Sequence, residues 1–189
     1  MIENFDEITQ QTLLELEKTQ KQFWNVARVT GEFLNLLIRT AKSKNVLELG
    51  TSNGYSGIWI GKALKETGGK LTTIEFYEKR IKPARDNFEK CGVLDLITTL
   101  EGSAIKILEY MSENEKFDFV FIDANKSETL KYFELIHPHL LTGGILAVDN
   151  VLSHEEKVKP FINEINSRPD YENVVLTLPA GLSLARKLR

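Results

Sequence analysis

Cysteine is almost missing from this sequence. Its 189 residues contain one, Cys91, which excludes an internal disulfide and a clustered-cysteine zinc site. With no histidine near it in sequence, Cys91 reads as a small buried hydrophobe rather than a nucleophile. Long apolar runs are missing too: no stretch approaches the roughly 20 residues that a membrane-crossing helix needs. An excess of basic charge is absent, since 24 lysines and arginines face 27 acids and leave a net charge of −3. That balance offers no electrostatic case for binding nucleic acid or an anionic membrane surface. The opening MIENFDEITQ is acidic and lacks a basic stretch followed by an apolar one, so it does not read as a secretory signal. There are no repeats and no Pro/Gly/Ser-rich linker. One domain spanning residues 1–189 is expected, in a reducing, cytoplasmic compartment.

What is present is a change of texture. From Phe5 to Leu16, and again from Phe23 to Ile38, apolar residues recur every three or four positions. Residues 1–42 are therefore expected to form helices packed on the core of the domain. From NVLELG (45–50) onward, strand-like and helix-like runs alternate. The further strands are LTTIEF (71–76), ITTLEG (97–102), FDFVFID (117–123) and GGILAVDN (143–150). Helices are expected over 55–67, in the charged stretch ending at 91–92, over 104–111, over 127–140 and around 160–167. The last two strands, VVLTLP (174–179) and LSLARKL (182–188), are separated only by Ala180 and Gly181. No crossover helix fits there, so they must form an antiparallel hairpin. The pattern predicts an α/β, Rossmann-like, mostly parallel seven-stranded sheet with helices on both faces and an antiparallel C-terminal edge hairpin.

In such a sheet, ligands bind beyond the carboxyl ends of the strands. Each of the first five strands ends in a polar group: Glu48, Glu75, Glu101 with Ser103, Asp123, and Asp149 with Asn150. A single acid there is an ordinary helix cap; five on one rim suggest a site. In the turn ELGTSNGYSG the glycines Gly50, Gly54 and Gly57 are spaced four and three apart, unlike the G-x-G-x-x-G of dinucleotide sites. A carboxylate at Glu48 would repel a pyrophosphate but suit a cationic ligand. Glu75 stands where an acid can accept ribose hydroxyls. A ribose and a positive charge without a phosphate describe S-adenosylmethionine.

Asp123, Asp149 and Asn150 are three hard oxygen donors on two strand ends, suited to Mg²⁺ first and to Ca²⁺ or Mn²⁺ as alternatives. The plainer reading of the last two is a turn after the strand. Lys126, in FDFVFIDANK, sits at a helix start where the dipole favours anions. Positive neighbours disfavour an ammonium, which suits a general base; an exposed, solvated lysine is the plainer reading. His137 and His139, flanking Pro138, read as structural, and His154 as a surface residue or one at a pocket mouth.

VLELGTSNGYS, TIE, EGSA, FIDANK, GGILAVDNVL and GLSLARK follow one another in an order that resembles the cation-dependent O-methyltransferases of the catechol and caffeoyl-coenzyme A type, from about Asn25 to Lys187. The resemblance implies that Val26, Glu48, Gly50, Thr51, Ser56, Glu75, Ala104 and Asp123 surround S-adenosylmethionine. It implies Asp123, Asp149 and Asn150 as metal ligands and Lys126 as catalytic base. The acceptor would be a small catechol-like or hydroxylated aromatic molecule. Departures fall on the acceptor side: Asn125 for the usual Asp or His, Thr129 for Tyr, Ser153 for Trp, Pro179-Ala180-Gly181 for Gly-Asp-Gly, and a short 152–160 segment. Little corresponds to the amino-terminal stretch that helps hold coenzyme A esters in the plant enzymes. Other readings are a hydroxylated tRNA base as acceptor, an NAD-dependent oxidoreductase, and a non-catalytic S-adenosylmethionine-binding protein. The edge hairpin and amphipathic amino-terminal helices could support a homodimer, though a monomer also fits.

Overall fold

A computed structural model describes residues 2–189. The helical start has three pieces: α1 (Glu7–Lys18), α2 (Gln20–Phe23) and α3 (Arg28–Ala41). Asp6 caps α1, its carboxylate accepting from the Thr9 backbone N–H at 2.9 Å. The helix expected from Phe23 begins only at Arg28, because Trp24 adopts a left-handed conformation, φ 57°. Apolar spacing carries no signal of such a break.

The remainder alternates as expected: β1 (Asn45–Leu49), α4 (Tyr55–Thr67), β2 (Lys70–Glu75), α5 (Glu78–Lys90), β3 (Ile97–Glu101), α6 (Ala104–Glu109), β4 (Phe117–Ile122), α7 (Thr129–Ile136), β5 (Leu140–Asp149), α8 (Glu155–Ser167), β6 (Tyr171–Leu176) and β7 (Leu182–Lys187). The strands order as β3-β2-β1-β4-β5-β7-β6. The first five run parallel, and β7 pairs antiparallel with both β5 and β6. The order reverses between β1 and β4, the switch point where an open sheet leaves a crevice. These two strands are apolar along almost their whole length because helices cover both faces. Phe119 and Phe121 face Ile58 and Trp59 on one side, while Leu47 and Val120 belong with Phe133 and Phe161 on the other.

Other boundaries differ from expectation as well. The single helix over 127–140 is a 3₁₀ turn at Lys126–Glu128 followed by the shorter α7; Pro138, lacking an N–H, cannot extend it. Helix α8 starts at Glu155 and carries Pro160 inside it, exposed, at the loss of one intrahelical bond. Five residues, 177–181, rather than two, join the hairpin strands.

The amino-terminal helices are fixed to α4. Arg28 grips Glu17 at 2.5 Å, and Glu17 accepts from the Tyr55 hydroxyl at 2.7 Å. Gly31 lies so close to Trp59 that an added Cβ would meet its ring at 2.5 Å. Since α4 also begins at the β1 turn, this contact sets where residues 24–27 cross the sheet's rim. Gly31→Ala is expected to lower stability by about 1–3 kcal/mol through overpacking, read by urea unfolding; an unchanged midpoint would mean that α3 shifts freely.

Candidate active site

The strand ends open into a cavity of about 810 Å³. Val26, Gly50, Thr51, Ser56, Glu75, Ala104, Asp123, Lys126, Asp149 and Asn150 all line it. Glu48 does not.

The turn after β1 is built for close approach. Gly50 has φ +101°, and a Cβ there would stand 2.2 Å from the Asp123 carbonyl oxygen. The Gly50 and Thr51 N–H groups both donate to the Ile74 carbonyl, and Gly54 N–H to that of Thr51. Ser52 N–H donates to Glu75 Oε2 at 2.7 Å. These amides are taken, so the turn is no pyrophosphate cradle, which argues against a dinucleotide. Gly54 and Gly57 instead lie against the Phe88 ring, each with room for a Cβ only at 2.7 Å. Their spacing answers helix packing. Glu75 receives the Ser52 N–H on one oxygen and the Tyr77 N–H, at 2.8 Å, on the other. This orients its carboxylate in the cavity wall with lone pairs to spare.

Glu48 lies beneath this surface, fully buried. The hydroxyls of Ser56 and Thr73 donate to its two oxygens, each at 2.6 Å, and Thr73 also meets the Thr51 hydroxyl at 2.6 Å. Its carboxyl is pushed up to about 7 by burial, against the pull of those two hydroxyls and with a further push from the charges of Asp123 and Glu75. In place of direct contact with a cationic ligand, Glu48 reaches the cavity through Ser56 and, by way of Thr73, Thr51.

The other half of the site joins β4 and β5, which pair side by side. Asp123 Oδ1 and Lys126 Nζ are 2.5 Å apart, with the 3₁₀ turn holding the lysine over the strand end. Asp149 is 2% exposed, and its Oδ1 has no hydrogen-bond partner among the described residues. Burial raises its carboxyl, and the charge of Asp123 raises it further. Asn150 takes a left-handed conformation, φ 68°, which asparagine tolerates better than most residues. An orphaned buried carboxylate oxygen beside a second carboxylate and an amide fits a hard divalent cation. No three His, Cys, Asp or Glu side chains gather as a metal site among the described residues; the third oxygen donor here is the amide of Asn150.

Sequence reasoning missed several lining residues. Phe23, Trp24, Phe76 and Tyr77 form an aromatic rim, with the Arg80 guanidinium 4.7 Å from Trp24 and 5.0 Å from Tyr77. Lys21 and Lys157 also face the cavity, as do Pro179 and Ala180, which the sequence had already assigned to the acceptor side. The one available signal was the aromatic pair directly after Glu75. Among the departures from the family pattern, Asn125 caps the Lys126 turn by accepting from Ser127 N–H at 3.2 Å. Thr129 is buried, donating to the Lys126 carbonyl at 2.9 Å.

Residues 3–188 match a family model described as O-methyltransferase. A caffeoyl-CoA O-methyltransferase of Eucalyptus gunnii is 29% identical over 92% of this chain and 79% of its own. A catechol O-methyltransferase of Niastella koreensis is 37% identical over 65% of this chain and 56% of its own. Among solved structures, the O-methyltransferase from Bacillus cereus in complex with SAH superposes with a TM-score of 0.84 at 28% identity, covering 99% of this chain and all of that one.

The raised Glu48 carboxyl has a testable sign. The folded protein keeps a proton that the unfolded chain releases above its ordinary value of 4.5, so this group's contribution to stability falls as pH rises from there through about 7. Glu48→Gln removes that dependence. Urea unfolding should show the variant gaining on the parent between pH 5 and pH 8; a constant gap would contradict the assignment.

Proposed function

Because this chain belongs to the O-methyltransferase family and is an S-adenosylmethionine-dependent methyltransferase, we propose that it methylates a hydroxyl of a small catechol-like or hydroxylated aromatic acceptor with a divalent cation, Mg²⁺ first. The observation that carries this reading is the orphaned Oδ1 of buried Asp149 beside Asp123 and Asn150. A bound dication supplies charge that favours the phenolate of an acceptor whose phenol would otherwise titrate near roughly 10.

The chain's own residues do the rest. Glu75 accepts the ribose hydroxyls of the methyl donor. The acids beneath the turn, Glu48 and Asp123, favour its sulfonium charge, the first acting through Ser56. Asp123, Asp149 and Asn150 would hold the cation. Lys126, released from its ion pair with Asp123 and neutral, takes the acceptor's hydroxyl proton at Nζ, and the freed oxygen pair forms the O–CH₃ bond as the S–CH₃ bond breaks, leaving a neutral thioether. Residues 23–27 and the aromatic rim limit water, so that positioning and fixed charge supply most of the acceleration.

Lys126→Ala should cut kcat with a catechol by about 10²- to 10⁴-fold and leave S-adenosylhomocysteine affinity, measured by calorimetry, nearly unchanged. Equal loss of both would make the lysine structural. Mg²⁺ should raise the parent's melting temperature, as ligand binding to the folded state must, and EDTA should remove both that gain and turnover. Asp149→Ala should show no Mg²⁺ response; a response equal to the parent's would place the cation elsewhere.

A further inference from the structure

The start of α8 sorts its charges by direction. Four ionisable residues stand in succession there: His154, Glu155, Glu156 and Lys157. His154 and Lys157, three positions apart and so on one helix face, line the main cavity. Glu155 faces a separate cavity of about 210 Å³, and Glu156 lines neither. A helix amino terminus already carries partial positive charge, and lysine is disfavoured in its first turn. Here that unfavourable lysine, though exposed, lines the main cavity, and neither of the two favourable acids does.

No carboxylate answers this charge. Among the described residues Lys157 takes part in no ion pair. Of the cavity's acids, Glu75 holds two backbone amides, Asp123 holds Lys126 and Glu128 accepts from the Tyr132 hydroxyl, while Asp149, whose Oδ1 has no hydrogen-bond partner, makes no ion pair with Lys157. The charge is also tied to the reacting end of the cavity. His154 N–H donates to the Asn150 carbonyl at 3.0 Å, and Lys157 N–H to that of His154 at 3.0 Å. Ser153 N–H is bound in turn to Ala180.

We propose that the acceptor carries a carboxylate on or near its aromatic ring, held by Lys157 with His154 at the start of α8. This rests on the cavity being the site of methyl transfer to a hydroxylated aromatic. At the start of α8 one lysine beside one histidine matches a single negative charge better than the several charges of a coenzyme A ester; the other rim cations, Lys21 and Arg80, belong to α2 and α5.

The test uses the intact chain with Mg²⁺ and two ligands of the same ring, 3,4-dihydroxybenzoate and its methyl ester. With S-adenosylmethionine, kcat/KM for the acid should exceed that for the ester by about tenfold, mostly through KM, as a charge-assisted contact implies. The preference should shrink as salt rises. Lys157→Gln should collapse it, whereas Lys159→Gln, outside the main cavity, should keep it. Calorimetry of both ligands in the presence of S-adenosylhomocysteine reads the same preference without turnover. Selective binding of the acid without methylation would therefore sink the proposed reaction but keep this inference. Equal affinity for acid and ester, or a preference untouched by Lys157→Gln, would overturn it. So would a caffeoyl-coenzyme A thioester favoured over free caffeate, which would move recognition to the phosphates.

Discussion

The rim of the sheet depends on how closely the ends of β1 and β4 approach. Asp123 N–H donates to the Leu49 carbonyl at 2.9 Å, and the Asp123 carbonyl lies where any side chain at residue 50 would begin. Glycine at 50 therefore serves a backbone contact rather than a phosphate. The same contact gives Asp123 two memberships. Through β1 it stands beside the turn that leads to Thr51 and Ser56, and through β4 and β5 it stands beside Asp149. A larger residue at 50 would part the strand ends and separate the methyl donor's site from the acceptor's.

Charge is layered around that junction. The deepest acids, Glu48 beneath the cavity lining and Asp149 in it, serve opposite halves of the site, and both are raised first by burial and then by Asp123. Isolated buried carboxylates are costly, by several kcal/mol each when ionised. Each therefore favours positive charge in its own half, which on the proposed reading would be a sulfonium in one and a dication in the other. Because both feel Asp123, filling one half eases the charge in the other. Above this acidic floor the rim is cationic, with Lys21, Arg80 and Lys157 lining the mouth. Such layering is invisible in a net charge of −3.

The sequence carried the fold well because strand ends are marked by chemistry as well as by periodicity. Glu75, Asp123 and Asp149 each close an apolar run, and parallel strands of similar length bring such endings to one edge. What was illegible had tertiary causes. Trp24 leaves the helix by a left-handed turn that no apolar period records. Lys157 was hidden because α8 starts five residues before Pro160, the position that seemed to open it. Glu48 was recognised as important, but its distance from the ligand space depends on Ser56 and Thr73, residues 8 and 25 positions away. Burial of this kind follows from packing, not spacing.

The departures from the family pattern belong to a different mechanical class from the residues that match it. Of the matching residues, Glu48, Glu75, Asp123, Asp149 and Asn150 stand at the ends of strands locked by ladder hydrogen bonds and by Gly50. Most of the departing ones lie on segments held by each other: Val151, Leu152 and Ser153 bond through their N–H groups to Gly181 and Ala180, and Gly181 leaves no room for a Cβ beside Leu152. The two segments are thus coupled to each other by backbone bonds and by the Gly181–Leu152 contact. The acceptor side can therefore change its shape and charge without disturbing Asp123, Asp149 or the donor's turn. In such a fold the reaction is written into the strands. The acceptor side is formed by the β5–α8 junction and the β6–β7 turn, so on the proposed reading the choice of acceptor rests with Lys157 and its neighbours rather than with the motif residues.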